Sequence, residues 1–191
     1  MNKILVIGGS AGSFRVVSEI LISLPRNYPL PVIICLHRLR SARTGFKEAL
    51  AIHAKIEIME PFDKERIRSS VAYLAPANYH LLVEYGHRFC LSVDRAINHS
   101  RPSIDITMET VAEVFKEKTI GIMLSGANMD GVNGMKKINE YGGVTVVQNP
   151  LTADIKTMPQ AVIDTFPPDH ILDKKEIIEF VNSLAFKPGK N

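Results

Sequence analysis

The sequence has few cysteines and no long hydrophobic run, and both absences exclude classes of protein. Its two cysteines, Cys35 and Cys90, are far apart and show no paired spacing, so they predict neither a disulfide framework nor a zinc site. The apolar run Ile4 to Ile7 is too short for a signal-peptide core. No stretch approaches the roughly 20 apolar residues that a membrane span requires. We therefore expect a protein of the reducing cytoplasm that does not insert into membranes.

The sequence also has little excess of positive over negative charge. Charged residues make up 23% of the 191 residues and the formal net charge is only +3, which is not typical of a disordered tail or of a dedicated nucleic-acid binder. Hydrophobic side chains make up 46%, enough for one sizeable core. We predict one domain over residues 1–186, a frayed tail over 187–191, a monomer, and no nucleic-acid partner.

Apolar runs and helical spacings alternate along most of the chain. A continuous apolar run over residues 4–7, helical spacing from Val16 to Leu24 and a second apolar run over 31–36 indicate a β-α-β unit. A helix around 45–52 and a short strand near 56–59 continue this alternation. The alternation predicts an α/β fold in which a mostly parallel sheet is covered by helices on both faces.

The middle of the chain departs from this alternation. Short extended runs over 71–75, 80–84 and 88–93 predict a small antiparallel hairpin excursion, with the turn at Tyr85-Gly86-His87. Beyond it the sequence predicts helices over 104–116, 132–141 and 174–184 and strands over 119–124 and 144–147.

A serine, a histidine and an aspartate follow three of the predicted strands, where ligands bind in open α/β sheets. They are Ser10, His37 and Asp130. A serine hydroxyl is a poor nucleophile until an imidazole takes its proton, and a carboxylate best fixes the tautomer of that imidazole. We therefore expect Ser10 to be the nucleophile, His37 the general base and Asp130 the group that orients the base.

The residues around Ser10 fit this role. Gly8-x-Ser10-x-Gly12 matches the nucleophile-elbow pattern, a tight strand-to-helix turn that holds a serine away from the backbone. The free N–H groups of the following helix, beginning at Ala11 and Gly12, are expected to point to where a tetrahedral oxyanion develops.

Each residue also has an ordinary structural interpretation. Ser10 could cap a helix or contact a phosphate, Asp130 could be a cap or turn aspartate, and His37 could be a satisfied half-buried histidine. Cys35, inside an apolar strand, is expected to be packed rather than a thiol nucleophile. The alternative function is a non-catalytic or nucleotide-binding α/β module. A dinucleotide fingerprint, however, needs Gly where Ser10 stands, and no Gly-Lys-Ser/Thr follows as in a P-loop.

Taken together, these segments resemble the catalytic domain of the chemotaxis-receptor methylesterases, the CheB family, over nearly the whole chain. Ser10 in IGGSAG, His37 in LHR and Asp130 in LSGANMDGVNG follow that family's chain order, which differs from the Ser, Asp, His order of α/β-hydrolases. Further matches are YLAPANYHLLVE, RPSID and TMPQAV.

The resemblance implies a hydrolase that cleaves γ-methyl esters of glutamate on receptor helices and releases methanol, with deamidation of glutamine as a possible second activity. It implies methylated receptor helices as partners and no cofactor or metal. It also implies that the backbone N–H groups of Ala11 and Ala127 serve the oxyanion, although the family usually has Thr or Ser and Met at these positions. Ser13 replaces a motif glycine, and we expect it to cap the following helix.

Basic residues cluster near the predicted catalytic end. Arg38, Arg40 and Arg101 are candidates for binding an acidic receptor helix, with Arg43 nearby, although a solvated basic loop is an equal alternative. Family members usually carry a receiver domain before the catalytic domain, whereas this sequence opens on the first catalytic strand. We therefore expect no control by phosphorylation in cis.

Overall fold

The computed structural model describes residues 3–37 and 45–186. Its strands in chain order are β1 (Ile4–Gly9), β2 (Val32–Leu36), β3 (Glu57–Met59), β4 (Val71–Leu74), β5 (His80–Glu84), β6 (Arg88–Ser92), β7 (Thr119–Met123), β8 (Val144–Gln148) and β9 (His170–Leu172). Its helices are α1 (Ser13–Ser23), α2 (Phe46–Ala51), α3 (Ile104–Phe115), α4 (Val132–Glu140), α5 (Thr157–Thr165) and α6 (Lys174–Ser183).

Within the described residues the main sheet has seven strands in the order β3-β4-β2-β1-β7-β8-β9, and every pairing in it is parallel. β1 lies at its centre and is buried along its whole length. A strand covered on both faces is apolar at every position, which explains the uninterrupted run Ile4 to Ile7.

Successive side chains of β1 enter two different cores, because strand side chains alternate between the faces of a sheet. Ile4 and Val6 pack with apolar residues of α3, α4 and α5 on one face. Leu5 and Ile7 pack with residues of α1, α2 and α6 on the other. The predicted fold class, a mostly parallel sheet with helices on both faces and a small hairpin, is confirmed.

The hairpin consists of β5 and β6, which pair antiparallel from His80↔Ser92 to Glu84↔Arg88. The expectation that residues 71–75 belong to this excursion was wrong. β4 lies in the main sheet, parallel to β2 and β3, and all four of its residues are buried. Its apolar run Val71 to Leu74 is that of a strand covered on both faces, not of a half-exposed hairpin strand.

Two elements have no counterpart in the sequence expectations. α5 was missed although its TMPQAV segment was recognised, and Pro159 lies in its first turn, where a missing N–H costs nothing. β9 is only three residues long and largely exposed, so it has no apolar run to detect. Among the described residues, no helix combines the length and apolarity needed to cross a bilayer.

Candidate active site

Three neighbouring strands bring the candidate catalytic residues to one edge of the sheet. β1 pairs with β2 on one side and with β7 on the other, and the segments that follow these strands carry Ser10, His37 and Asp130. Backbone hydrogen bonds continue past the strand ends, from His37 N to Gly9 O (3.1 Å) and from Ser10 N to Ser125 O (2.9 Å). The three segments therefore emerge side by side.

Ser10 lies half-buried in the tight turn between β1 and α1. The turn depends on Gly12, whose φ of 85° lies in the left-handed region. A Cβ atom on Gly12 would lie 2.6 Å from the Cβ of Asp154 and 2.7 Å from the Oγ of Ser125. Both the backbone conformation and the close approach of these neighbours therefore require glycine.

Ser13 does not cap α1 as expected. It is the first residue of the helix, which begins after Gly12, and its fully buried hydroxyl donates to the carbonyl of Ser10 at 2.5 Å. The hydroxyl reaches back to a carbonyl in the preceding turn instead of forward to a free N–H group. Ser13 therefore braces the turn that carries Ser10.

His37 and Asp130 form a close pair. The Nε2 of His37 lies 2.7 Å from the Oδ2 of Asp130, whose side chain is completely buried. Because a carboxylate only accepts, Nε2 carries the proton of this bond and Nδ1 is the nitrogen that can receive one. The Ser100 Oγ and the Asn128 Nδ2 each lie 3.4 Å from Nδ1, which is long for a hydrogen bond.

The Ser10 hydroxyl makes no hydrogen bond to any residue in the described ranges 3–37 and 45–186. The contact from Ser10 to His37 therefore stays a prediction. Catalytic hydrogen bonds are often loose before substrate binds and tighten in the reacting complex.

The Asp130 carboxylate is held by the start of α3. It accepts hydrogen bonds from the Ile104 N–H (2.7 Å), the Asp105 N–H (3.2 Å) and the Ser103 hydroxyl (2.8 Å). Burial raises the pKa of Asp130, but the hydrogen bonds from His37, Ile104 and Ser103 lower it by more, so the pKa falls below its ordinary value. Asp130 is therefore ionised at neutral pH, as a group that steadies an imidazolium must be.

The two proposed oxyanion donors lie on facing loops at this edge. Ala11 and Ala127 are exposed, and neither N–H group donates to another residue in the described part of the chain. The loop before Ala127 is fixed by a hydrogen bond from Gly126 N to Ile155 O at 3.1 Å. Free N–H groups on braced loops can stabilise an oxyanion without reorganising.

Of the three predicted substrate-binding arginines, the structure describes Arg101. Arg38 and Arg40 lie outside the described residues. Arg101 donates through Nη1 to the carbonyls of Val93 (2.5 Å) and Asp94 (2.8 Å), which ties down the segment after β6. It also lines a cavity of about 430 Å³ with Tyr79 and other residues after β4. Its role in substrate binding stays a prediction.

Sequence reasoning missed the polar residues that support the pair. Ser103, Asp105 and Asn98 surround Asp130, and none was assigned a role, although RPSID contains the first two. The buried His80, in another recognised segment, accepts from Ser103 N at Nδ1 (3.2 Å) and lies 3.0 Å from Arg95 O through Nε2. These contacts are between residues that are distant in the sequence. The motif matches were therefore the only sequence signal that could have identified these residues.

Comparisons with known proteins find relatives over nearly the whole chain. The CheB methylesterase family model matches residues 5–181. A Leptospira interrogans protein named "Putative protein-glutamate methylesterase/protein-glutamine glutaminase" is 42% identical over 175 residues, which are 92% of this chain and 91% of that protein. The Thermotoga maritima protein-glutamate methylesterase/protein-glutamine glutaminase is 32% identical over 191 residues, covering 96% of this chain but only 54% of the longer relative.

The crystal structure of the Thermotoga maritima CheB methylesterase catalytic domain superimposes on this chain with a TM-score of 0.91 at 30% sequence identity. The match covers 96% of this chain and 99% of that domain.

Proposed function

This chain belongs to the CheB methylesterase family, and from that premise we propose that it is a protein-glutamate methylesterase in which Ser10, His37 and Asp130 act as a catalytic triad. The names of its relatives support both ester hydrolysis on protein glutamates and a glutaminase activity. They support the hydrolase interpretation and not the nucleotide-binding alternative.

The observation that carries the triad is the contact of 2.7 Å between His37 Nε2 and the buried, ionised Asp130. This contact fixes the proton on Nε2 and leaves Nδ1 as the basic nitrogen. Nδ1 rather than Nε2 is then the atom that takes the serine proton. A histidine kept only for packing would not need a charged partner in a fully buried position.

In the acylation step the Ser10 Oγ attacks the carbonyl carbon of the glutamate γ-methyl ester as Nδ1 of His37 accepts the hydroxyl proton. The carbonyl oxygen becomes an oxyanion, which the N–H groups of Ala11 and Ala127 stabilise. Asp130 stays ionised and stabilises the imidazolium. The tetrahedral species collapses, the C–O bond to the methoxy group breaks, and the proton on Nδ1 leaves with methanol.

Deacylation repeats this sequence with water. Nδ1 takes a proton from water, the hydroxide attacks the acyl carbon, and the C–O bond to Ser10 breaks as the proton returns to the Ser10 oxygen. The products are glutamate and free enzyme. A glutamine side chain would follow the same route with ammonia as the leaving group, which accounts for a glutaminase activity at the same site.

The proposed substrate is a methylated, acidic receptor helix. Arg38, Arg40 and Arg101 are the residues proposed to attract it, because a basic rim raises the encounter rate with an acidic partner. The proposal includes no metal and no cofactor, since every step uses side chains or backbone groups of the chain.

The test is single-turnover release of methanol from a methylated receptor fragment, with Ser100→Ala as the matched control. Both serines belong to the candidate site, and Ser100 is the one whose hydroxyl lies 3.4 Å from Nδ1. Ser10→Ala should abolish release while the melting temperature is kept, whereas Ser100→Ala should retain at least about a tenth of it. Release by Ser10→Ala within about tenfold of wild type would overturn the assignment.

A further inference from the structure

Two helices at the candidate site cannot be capped by their own N-cap residues. α4 is preceded by Gly131, which has no side chain, and α3 is preceded by Ser103, whose hydroxyl makes no cap hydrogen bond because it donates to Asp130. A helix start leaves several N–H groups without partners, and in a buried position these need acceptors. Here the acceptors come from the other helix of the pair.

Each helix receives its cap from an aspartate at the start of the other. Asp130, just before α4, accepts the first N–H groups of α3, from Ile104 and Asp105. Asp105, in the first turn of α3, accepts the N–H of Gly134 in the first turn of α4 at 2.9 Å. The two carboxylates thus form a reciprocal clamp between the helix starts.

The clamp is buried and closely packed. Asp105 is only 4% exposed, and Asn133 and Asn98 each donate to its Oδ2 at 3.3 Å. A Cβ atom on Gly134 would lie 2.5 Å from the Cβ of Met108 and 3.1 Å from the carbonyl oxygen of Asp105, so the two helices meet without room to slide. The clamp and this close packing together hold the two helix starts against each other.

Asn98 connects the two carboxylates. Its amide nitrogen lies 3.3 Å from the Oδ2 of Asp105 and 3.5 Å from the Oδ1 of Asp130. Asp130 in turn holds Nε2 of His37. A continuous chain of polar contacts therefore runs from Asp105 to the imidazole.

We propose that Asp105 is a positioning residue of the candidate active site, which holds Asp130 against His37 by capping α4 and adds negative charge behind the pair. The catalytic part of this inference rests on the proposed methylesterase function. Asp105 touches neither substrate nor the reacting atoms, so it acts through Asp130.

Few other ionisable groups lie around Asp105 in the described part of the chain. Within α3, Glu109 lies close enough for the Asp105 charge to act on it, and its pKa is raised first by burial and then by that charge. Lys137 of α4 lowers the pKa of Glu109. His80, from β5, uses both ring nitrogens on backbone groups. Burial also raises the pKa of Asp105 itself, and the Gly134 N–H opposes that rise.

The experiment compares wild type, Asp105→Asn and Asp169→Asn. Asn keeps the shape of Asp105 and one acceptor oxygen but removes the charge. Asp169 is a matched control because it also accepts a backbone N–H and a hydroxyl, both from Thr145 at 2.8 Å, and lies at the opposite edge of the sheet, before β9. The readouts are the titration midpoint of the His37 imidazole by NMR, kcat and KM for methanol release, and the melting temperature.

Asp105→Asn should move the His37 midpoint to lower pH by about half a unit or more, because removing a nearby negative charge disfavours the imidazolium. It should lower kcat about tenfold or more with KM within about twofold, since binding groups are untouched. Asp169→Asn should change only the melting temperature. A folded Asp105→Asn protein with the wild-type His37 midpoint and kcat would overturn the proposal.

A second variant covers the case in which Asp105→Asn does not fold. Asn98 is exposed and has a φ of +49°, so Asn98→Gly removes the bridging amide without straining the backbone. Losing this donor leaves the carboxylates more basic, so the His37 midpoint should rise, opposite to the first variant. An unchanged midpoint would contradict the chain of contacts.

The NMR titration needs no turnover, so the two proposals fail separately. If wild type releases no methanol but the His37 midpoint moves as stated, the methylesterase function is wrong and the clamp is right. If wild type is active and neither variant moves the midpoint, the methylesterase function is right and the proposed role of Asp105 is wrong.

Discussion

Replacing Asp130 with asparagine tests the centre of the site, because the structure determines what the change must cost. Each carboxylate oxygen accepts from two donors within 3.2 Å: Oδ2 from His37 and Ile104, and Oδ1 from Ser103 and Asp105. The amide NH₂ of asparagine must therefore face one of these donor pairs. In either orientation a buried N–H group of α3 loses its acceptor.

An unsatisfied buried N–H group costs about 1–3 kcal/mol, and loss of a negative charge at a helix start costs up to about 2 kcal/mol more. We expect Asp130→Asn to lower the free energy of unfolding by about 3 kcal/mol. For a domain of this size that corresponds to a fall in melting temperature of about 6 to 12 °C. Differential scanning calorimetry at neutral pH measures the fall.

The variant should also lose far more turnover than its reduced stability explains. If the NH₂ group donates to Nε2 of His37, the imidazole proton moves to Nδ1, which can then no longer act as base. The wrong tautomer costs about 10⁴-fold in a serine protease triad, and we expect a loss of about 10³- to 10⁴-fold here. Single-turnover methanol release measures it at a temperature where the variant is folded.

The matched control is Asp173→Asn. Asp173 caps α6, accepts from Asn149 (2.9 Å) and Thr152 (3.1 Å), and directly follows β9, the outermost strand of the sheet. This variant should lose stability and keep full activity. A folded Asp130→Asn protein with turnover within about tenfold of wild type would refute the assigned role of the carboxylate.

The difference in stability between wild type and Asp130→Asn should depend on pH. The pKa of Asp130 is lower in the folded chain than its ordinary value, so its ionised form stabilises the fold above the unfolded pKa. That stabilisation is lost as the pH falls through the lower, folded pKa. The difference in melting temperature between wild type and Asp130→Asn should therefore shrink in acid. An equal difference at neutral and strongly acidic pH would mean that Asp130 is not held as an anion.

Three further predictions concern the base, metals and encounter with substrate. His37→Gln should be as inactive as Ser10→Ala, and wild-type kcat/KM should fall on the acid side as the imidazole becomes protonated; a flat profile from about pH 5 to 9 with chemistry rate-limiting would indicate another base. EDTA should leave methanol release unchanged, and a loss reversed by added metal would contradict a purely side-chain mechanism. Raising salt from about 20 to 500 mM should lower kcat/KM, and Arg38→Ala combined with Arg40→Ala should flatten this dependence; identical slopes in both proteins would exclude steering by these arginines.

Much of the fold could be predicted from local patterns. Buried parallel strands such as β1 and β2 are continuous apolar runs between turn signals, and α1, α3 and α6 have clear helical periodicity. The two missed elements have weak local signals. β9 is too short and exposed to carry a pattern, and α5 contains Pro159, a residue that ordinarily argues against a helix. β4 was seen as a strand, but its partners could not be read from four residues.

The candidate site, like the fold, could be predicted from the sequence only in part. Ser10, His37 and Asp130 were identified because each directly follows a strand or its loop and carries a reactive group. The supporting residues Ser103, Asp105 and Asn98 could not be identified, because each acts on a group in another segment. Ser13 was assigned a cap that it does not make, since a hydroxyl in the first turn can bond backward as well as forward.

The sequence by itself determined the alternation of strands and helices, the turn that carries Ser10 and the chemical identity of the three candidate catalytic groups, because these depend on side-chain type and on neighbours a few residues away. Only the tertiary structure decided that β2, β1 and β7 lie next to one another, which brings His37 to within 2.7 Å of Asp130 across 93 positions of the chain. It also decided which nitrogen of His37 is basic and that Asp105 and Asp130 cap each other's helices. These are distances between segments, and strand order and helix packing set them through burial of the whole sheet rather than through any local pattern.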